Sequence, residues 1–547
     1  MSRAFPGVAL SLSLILGATV AACQGCRTPP AAMVDAGAEA VPTQPTVRLY
    51  VLSNIAGAIE PCGCTKDQLG GVDHLAAFLK SEASAAPANI VLGAGPMLFG
   101  DATLSVQQQT QQSWKADTLA AAFKHLGLVA WAPGVNDWAG GADFLSKAVA
   151  ASGAALLAGN VDGAPRPAPV VMRAVGGLQI GIVGVADPRD RSGQLPAGIT
   201  TKPAVDAMRE GIAEAKRQGA RVLVGVAAIP RGEALRLADA FPELSVLVIG
   251  KPFEGGHAND GAKAPMHLGN TLVVETSNHL QSVAVVDLFV RGAPAGNAPL
   301  VFADASGISR AEELVSVSGR IRELETRIQS WEKGGKVKPE DLAARKADLE
   351  KLRIDRAKLE ESPPVPSGSF FRYRLVEVRE KLGAEPVVKN QLADYYKRVN
   401  DHNKVAFADR KPAPAGPGQP TFIGVEECTT CHDEERKVWD GTPHSHAYQT
   451  LQTDFKEYNL DCVSCHVTGY DQPGGSTVTF VDKLKDVQCE ECHGPGSLHA
   501  KDPEKKGLIV LKPDPQSCVS SCHHPPHVEN FDPVVKMDLV LGPGHGK

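Results

Sequence analysis

The sequence predicts two unlike folded regions, an α/β N-terminal region and a mainly α C-terminal region, joined by a helical hairpin. Three observations predict this. Short apolar runs alternate with amphipathic stretches over residues 47–305, a charged segment with helical periodicity follows, and eight of the twelve cysteines lie beyond residue 421. A chain of 547 residues that is 43% hydrophobic can bury more than one core.

The charge balance excludes one class of partner. The formal net charge is −6 and the sequence pI is near 6.3, and there is no polybasic stretch. Nucleic acid, which is bound mainly through phosphate contacts with Lys and Arg, is therefore not an expected partner.

The N-terminus reads as an export signal over residues 1–22, with an apolar stretch too short to span a membrane as a mature helix. Val-Ala-Ala-Cys resembles a bacterial lipoprotein box, which implies that Cys23 is lipidated and that residues 23–46 are a flexible tether. The alternative is simple cleavage that leaves Cys23 and Cys26 as thiols. We expect a location in the cell envelope, facing the periplasm or the exterior.

Residues 47–305 form the predicted α/β domain. Each apolar run has the length of a strand and is followed by a stretch with helical periodicity, which is typical of a sheet covered by helices. The runs are VRLYVL, NIVLGA, LQIGIVGVA and RVLVGVAA.

Residues 306–410 are predicted to be a helical hairpin that acts as a spacer. Apolar residues recur there at spacings of three and four on both sides of Gly334-Gly335, and Arg345 and Arg356 interrupt the stripe. Such a stripe indicates packing rather than chemistry. A linker rich in Pro and Gly, residues 411–420, then leads to the cysteine-rich end at 421–547.

The C-terminal region contains three C-x-x-C-H motifs. In this motif two thiols attach a haem covalently through its vinyl groups, and the adjacent His binds the iron as proximal ligand. The motifs are Cys428/Cys431/His432, Cys462/Cys465/His466 and Cys489/Cys492/His493. Zinc is the competing interpretation of paired cysteines, but a zinc ribbon does not need a His directly after each pair.

A fourth group, Cys518, Cys522 and His523, has one extra residue between its cysteines. We predict a fourth haem there, and a disulfide between Cys518 and Cys522 is the alternative. Six further histidines of this region are available as distal ligands or as surface residues: His444, His446, His499, His524, His527 and His545. Met537 is the only methionine of the region, so mostly bis-His, low-potential haems are expected.

The segments CTTCHDEERKVWDGTPHSHAYQTL, DCVSCHVTGYDQPGG, VQCEECHGPGSLHA and LGPGHGK resemble the tetrahaem cytochromes c of the nitrifier type. The resemblance implies four haems c and distal ligation by His444, His499 and His545. The fourth group departs from the family pattern, which leaves its distal ligand open, with His446 and His527 as further candidates.

The α/β region resembles the periplasmic 5′-nucleotidase branch of the metallophosphoesterases in framework but not in site. The resemblance implies a layered sheet with helices. That family binds two metal ions through Asp, His and Asn side chains, and most of these are replaced here. The family's T-N-D-x-H-G becomes L-S-N-I-A-G, and D-x-G-D becomes G-A-G-P. The residues that remain are Asn54, Asn136, Asp137, His257 and His267.

Cys62 and Cys64, in E-P-C-G-C, follow the first strand. They resemble a motif of nucleotidase-like proteins fused to cytochromes and are a candidate redox pair, with a structural disulfide or buried thiols as the alternative.

The leading hypothesis is an exported electron relay, with a redox protein or a quinone-linked system as donor or acceptor and a lipid anchor in the membrane. One alternative is a redox enzyme that acts on a small nitrogen, sulfur or thiol compound through a haem or through Cys62 and Cys64. Another is a phosphoesterase with an attached cytochrome. An electron-transfer protein is favoured over a hydrolase because so few metal ligands remain.

Overall fold

The computed structural model describes residues 42–61, 68–253, 258–292, 298–334, 337–361, 365–524, 528, 531–542 and 545. Several residues named above lie outside this set: Cys23, Cys26, Cys62, Cys64, His257 and His527. The predictions made for the export signal, the lipidated cysteine and the Cys62/Cys64 pair therefore fall outside the described residues.

The strands of the described chain all precede residue 378. In chain order they are β1 (Val47–Ser53), β2 (Asn89–Ala94), β3 (Leu128–Ala132), β4 (Ala155–Leu156), β5 (Val161–Asp162), β6 (Val170–Val175), β7 (Leu178–Ala186), β8 (Thr200–Thr201), β9 (Val222–Ala228), β10 (Val246–Gly250), β11 (Met266–Leu268), β12 (Thr271–Val274), β13 (Ser282–Phe289), β14 (Ala303–Asp304) and β15 (Phe370–Glu377).

Two large sheets pack face to face. One has the order β14-β15-β13-β1-β2-β3-β4 and the other β11-β12-β10-β9-β7-β6, and β5 pairs with β8 in a short ribbon. Side chains alternate along β9, as a strand requires. Val222, Val224 and Val226 join the apolar cluster between the sheets, whereas Leu223 and Ala227 join a second cluster under the outer helices.

Helices cover both outer faces of the sheets, which confirms the predicted α/β class. They are α1 (Val72–Ser81), α2 (Gln109–Leu126), α3 (Ala142–Ser152), α4 (Ala204–Arg217) and α5 (Arg231–Ala240). The four apolar runs recognised in the sequence correspond to β1, β2, β7 and β9. A 3-10 helix, Val135–Trp138, follows β3 at the edge where parallel strands end.

The hairpin consists of α6 (Ile308–Gly334) and α7 (Pro339–Glu360). Val317, Ile321, Ile328 and Leu349 from the predicted stripe are buried between the two helices. Both arginines of the stripe form ion pairs within α7, Arg345 with Asp348 and Arg356 with Glu360.

The structure differs from the prediction over the rest of residues 306–410. Strand β15 pairs with β13 and β14 inside the larger sheet, and α8 (Pro386–Ala406) packs on α1 and α2. Val388, Leu392 and Val399 of α8 belong to the main core. The hairpin is therefore an insertion before the last strand of the α/β domain, not a spacer between domains. A short 3-10 helix, Glu380–Leu382, lies between β15 and α8.

The C-terminal region is built from short helices: α9 (Val425–Thr429), α10 (Asp433–Asp440), α11 (Ala447–Thr453), α12 (Cys489–His493), α13 (Ser497–Lys501), α14 (Gln516–Ser521) and α15 (Pro533–Met537), with 3-10 helices at Pro443–His446 and Val463–Cys465. Its apolar core is small and is formed by Tyr448, Val463, Val467, Val478 and Val481. Within the described ranges, no helix has the length and apolar character needed to cross a membrane.

Candidate haem-binding site

Each Cys and His motif lies on a short helical turn. In a helix, positions i, i+3 and i+4 share one face, so C-x-x-C-H presents both thiols and the imidazole to one side. The third motif is α12 itself, the second spans the 3-10 helix Val463–Cys465, and the first joins α9 to α10. In the fourth group, Cys518 lies in α14 and Cys522 follows its last residue.

One attachment thiol differs from the rest in its surroundings. Cys431 is exposed, whereas the other seven motif cysteines are partly buried, so the polypeptide does not enclose this predicted haem-binding residue. The reason is its position: Cys431 lies in the turn after the last residue of α9, and its Sγ is 3.8 Å from the exposed Thr430 hydroxyl. Attachment through Cys431 therefore stays a prediction that rests on the motif, and a haem held there would itself have to cover the sulfur.

Three of the four motif histidines face a second histidine from a distant part of the sequence. The ring centroids are 6.3 Å apart for His432 and His499, with an interplanar angle of 28°. They are 6.1 Å apart for His493 and His545, at 25°. The third pair is His523 with His444, at 6.1 Å and 47°.

These separations fit a metal ion between the two rings. Two metal–nitrogen bonds of about 2 Å each, added to the distance from each nitrogen to its ring centre, fill such a gap. A direct ring stack would bring the centroids closer. Three of the five distal candidates thus lie opposite a motif histidine.

Of the other two distal candidates, only His446 is described, and it faces no motif histidine in this way. His446 lies near the carboxylate of Asp486, which also lies near His466. His527 is outside the described residues. His524, a spare histidine in the sequence, lies near Cys465 and His523.

His466 differs from the other motif histidines. Its Nδ1 hydrogen-bonds to the carbonyl oxygen of Ala447 at 2.5 Å, which leaves Nε2 as the ring atom for a metal. Across the part of the chain that the structure describes, no imidazole faces His466 as in the three pairs. His493 has a similar anchor, with Nδ1 2.6 Å from the carbonyl oxygen of Val510.

Burial prepares three of these imidazoles for metal binding. Desolvation lowers the pKa of His444, His466 and His523 below the ordinary value of histidine. A lower pKa keeps the ring neutral at neutral pH, and only the neutral ring has a lone pair for a metal.

Thiols from different motifs lie next to each other. Cys428 of the first motif contacts Cys489 of the third, and Cys465 of the second contacts Cys522 of the fourth. The hydrogen bond from Cys522 lowers the pKa of Cys465 to about 6. Cys518 and Cys522 are not bonded to each other in the structure, and the fourth haem at this group stays a prediction, with the disulfide as its alternative.

Two residues that the sequence interpretation missed hold the first and third motifs together. The Glu490 carboxylate accepts hydrogen bonds from the backbone N–H groups of Gly424 at 2.8 Å and Gly496 at 2.7 Å. Gln488 Oε1 accepts one from the Val425 N–H at 2.7 Å. Their position beside or within the third motif was visible in the sequence, but their long-range partners were not.

In the α/β domain, the strand ends that would surround a metal pair contact one another directly. The Lys251 N–H donates to Asn54 Oδ1 at 2.7 Å, and the Val135 N–H donates to the Pro252 carbonyl at 2.7 Å. A Cβ atom built on Gly95 would lie 2.0 Å from Asn54 Oδ1, and one on Gly250 would lie 2.2 Å from a backbone atom of Ala94. Backbone fills this edge of the sheets.

The other candidate metal ligands that the structure describes, Asn136, Asp137 and His267, make contacts within the α/β domain. Asp137 is fully buried and accepts hydrogen bonds from the N–H groups of Met97 at 2.9 Å and Leu98 at 2.8 Å. Desolvation raises its pKa to about 6. Asn136 Nδ2 donates to the Gly100 carbonyl at 2.7 Å, and the His267 ring packs against Phe371. In the described ranges, no three His, Cys, Asp or Glu side chains converge into a cation site.

Comparison with known proteins gives two kinds of match. Three solved structures similar to the chain are a 5′-nucleotidase precursor from Thermus thermophilus, a calcineurin-like phosphoesterase, YfkN, from Bacillus subtilis, and the sulfate thiohydrolase SoxB from Thermus thermophilus. Their TM-scores are 0.44, 0.39 and 0.37, at 15%, 16% and 14% identity. The matches cover 67%, 47% and 46% of this chain and 61%, 87% and 55% of the other chains. The α/β architecture rests on the chain's own sheets rather than on these alignments.

The C-terminal region matches at the level of sequence. Cytochrome c-554 from Nitrosomonas europaea is 33% identical over 107 residues, which cover 17% of this chain and 46% of that protein. The chain thus spans about half the length of that relative. Residues 427–494 match the family described as cytochrome c554 and c-prime. The resemblance predicted from the motifs is confirmed: this segment, which contains the first three haem-binding motifs, is cytochrome c554-like.

Proposed function

We propose that residues 421–547 bind four haems c covalently and that the protein relays electrons in the cell envelope. The main support for this proposal is the set of three facing histidine pairs. In each pair a motif His lies opposite a His from elsewhere in the chain. A disulfide framework gives no reason for two imidazoles to face each other across a metal-sized gap. A structural zinc site needs four ligands, and among the described residues no three His, Cys, Asp or Glu side chains converge to supply them.

The residues divide into three roles. The cysteines of the four motifs attach the haems, and His432, His466, His493 and His523 are the proximal ligands. His499, His545 and His444 are the distal ligands to the first, third and fourth haems. When bound, haem supplies one-electron redox chemistry at iron, and imidazole ligation favours a lower potential than methionine would give.

The contacts between motifs favour transfer within the set. The Cys428–Cys489 and Cys465–Cys522 contacts place the attachment points of two motifs side by side. Haems held by adjacent thiols are close neighbours, so the chain itself enforces the short separations that an electron relay needs.

We further propose that the α/β domain is not a hydrolase. Backbone atoms occupy the strand edge where two metal ions would sit. The Asp137 carboxylate accepts hydrogen bonds from the N–H groups of a neighbouring loop. A two-metal mechanism needs ligands that are free to hold both cations and to activate water.

The second candidate function is a redox enzyme. It is favoured by one observation, the absence of a facing imidazole at His466 among the described residues. A haem held at His466 without a second protein ligand would be able to bind a small molecule at its iron. A haem that only relays electrons does not need this ability.

Export and anchoring through Cys23, and a redox protein or quinone-linked system as partner, complete the proposal. They rest on the lipoprotein-like signal and on the likeness to cytochrome c-554.

The test is the mass of the protein matured with the c-haem machinery, combined with a pyridine haemochrome count and ferric and ferrous spectra. Four covalent haems are expected, and the Cys518→Ser/Cys522→Ser variant should lose one. A count of three that this variant leaves unchanged would contradict the fourth haem. A high-spin component that binds carbon monoxide, and that disappears in Cys462→Ser/Cys465→Ser, would favour the enzyme.

A further inference from the structure

Side chains of the α/β domain form hydrogen bonds with the segment that directly precedes Cys462. Gln111 of α2 donates to Asn459 Oδ1 at 3.0 Å and accepts, through Oε1, from the Leu460 N–H at 3.0 Å. Asn403 of α8 donates to the same Gln111 oxygen at 3.0 Å and to the Tyr458 carbonyl at 2.8 Å. The Cys462 N–H in turn donates to the Asn459 carbonyl at 3.0 Å.

These amides are fully enclosed. Gln111 and Asn459 are each 1% exposed, and Asn403 is 2% exposed. Buried amides with satisfied hydrogen bonds fix one geometry, because any other arrangement leaves a polar group without a partner. The second motif is therefore held against the α/β domain in one orientation.

Two ion pairs cross the same interface. Lys115 Nζ of α2 lies 3.0 Å from an oxygen of Asp461, the residue next to Cys462. Glu60, which follows β1, pairs with Lys456, whose Nζ also lies 4.4 Å from the ring centre of Tyr396. All four side chains are at most 30% exposed. The α/β domain thus contributes one cation and one anion.

The charges of this cluster also act on Lys456 itself. Burial lowers the pKa of Lys456, but the nearby carboxylates of Glu60 and Asp454 outweigh that effect, so the net shift is upward. Lys456 therefore stays protonated, and the two ion pairs place full charges in the segment that leads to Cys462.

We propose that the α/β domain tunes the reduction potential of the haem attached at Cys462 and Cys465, through the interdomain ion pairs Lys115–Asp461 and Glu60–Lys456. The inference rests on the proposed haem attachment at this motif. It gives the α/β domain a role in the relay that does not require it to bind a substrate.

The sign of each contribution follows from charge. One-electron reduction converts ferric to ferrous iron, so a nearby cation favours the reduced state and raises the potential, and a nearby anion lowers it. Removal of one member of a pair leaves the other partly buried with less compensating charge, where screening by water is weak.

The experiment is a spectroelectrochemical titration of the full holoprotein, with the electrode as electron source. The step that belongs to this haem is the one missing from Cys462→Ser/Cys465→Ser. Lys115→Met and Lys456→Met should lower the potential of that step, and Asp461→Asn and Glu60→Gln should raise it. We expect a change of up to about tenfold in the ferric-to-ferrous ratio at fixed potential, which is 59 mV for one electron.

The double variant Lys115→Met/Asp461→Asn removes both charges and should return the step close to its original position. Lys124→Met is the matched control, because it removes the same charge from the exposed end of α2. Its effect on the step should be much smaller.

Opposite shifts within each pair support the proposal, because a loss of structure would move both members in one direction. Equal shifts in one direction, or shifts no larger than that of Lys124→Met, would overturn it. Haem content, measured by mass on the same samples, separates this failure from failure of the proposed function, in which the unsubstituted protein itself would carry no haem at the second motif.

Discussion

The α/β domain and the C-terminal region differ in how much apolar side-chain surface they bury. In the α/β domain, two sheets enclose a large apolar cluster in which Trp131, Phe99 and Phe123 are fully buried. In the C-terminal region the buried apolar set is small, and several large apolar side chains are exposed: Val510, Leu511, Val534, Val535 and Leu539. The polypeptide of the α/β domain forms its own apolar core. The C-terminal region leaves apolar side chains exposed that a cofactor would cover.

This difference shows that the two regions obtain their buried apolar surface from different groups. The free energy of folding in the first region comes from side chains that remove their own surface from water. In the second, the polypeptide supplies thiols and imidazoles, and the porphyrins that we propose would supply the apolar surface. The regions should therefore respond differently to the loss of haem and to side-chain substitutions.

The largest expected effect is on the full chain produced without haem attachment. The C-terminal region should lack a stable core and be cut rapidly by a nonspecific protease, while the α/β domain remains intact. Limited proteolysis followed by mass spectrometry measures this, with the haem-loaded chain as control. Equal resistance of the two regions in the haem-free chain would remove the contrast.

The next effect sharpens the contrast within the C-terminal region. His499→Ala removes the side chain that faces His432, so one low-spin haem should become high-spin and bind carbon monoxide. His446→Ala is the matched control, because His446 faces no motif histidine in this manner. The absorption spectrum with carbon monoxide is the measurement, and a larger change in the control would reverse the ligand assignment.

In the α/β domain the corresponding change is structural. Asp137→Ala leaves the N–H groups of Met97, Leu98 and Gly134 without their acceptor, which at about pH 4 should cost about 3 kcal/mol or more in the free energy of unfolding. Chemical denaturation measures the loss, with the exposed Asp143→Ala as control. Loss of a metal-dependent phosphoesterase activity in Asp137→Ala, without loss of stability, would restore the hydrolase hypothesis.

The same carboxyl group gives a pH dependence. Its pKa in the folded state is raised to about 6 from the ordinary 3.8, so the folded state binds the proton more tightly than the unfolded state. The stability it contributes is present below pH 3.8 and is lost as pH rises through about 6. The stability advantage of the unsubstituted protein over Asp137→Ala should shrink by at most about 3 kcal/mol between about pH 4 and about pH 7. An advantage that grows over this range would contradict the assignment.

The smallest effect tests the boundary between the regions. Gln111→Leu removes the hydrogen bonds that Gln111 makes with Asn459, Asn403 and the Leu460 N–H, and it should weaken docking by about 1 to 2 kcal/mol. Hydrogen exchange of residues 457–461 in the full chain measures it. Gln109→Leu, the same substitution at an exposed position of α2, should leave that exchange unchanged.

Much of this organisation could be predicted from residues alone. The apolar runs predicted β1, β2, β7 and β9 because a buried strand needs a short continuous apolar stretch. The apolar stripe predicted the helical hairpin equally well, because each of its two helices must bury one face. The strand β15 was missed although FFRYRL has the alternation typical of a half-buried strand, because it follows a long helical insertion and its partners β13 and β14 precede that insertion.

At the candidate site the sequence by itself determined the attachment chemistry, because C-x-x-C-H is a local motif that fixes two thiols and one imidazole on a single turn. Only the tertiary structure decided which distant histidine faces which motif, that Cys431 is exposed while the other motif thiols are partly buried, and that Gln111 and Lys115 reach the segment before Cys462. Local spacing specifies one face of a helix, whereas the second ligand, the buried amide network and the interdomain charges depend on contacts between residues as many as 396 positions apart.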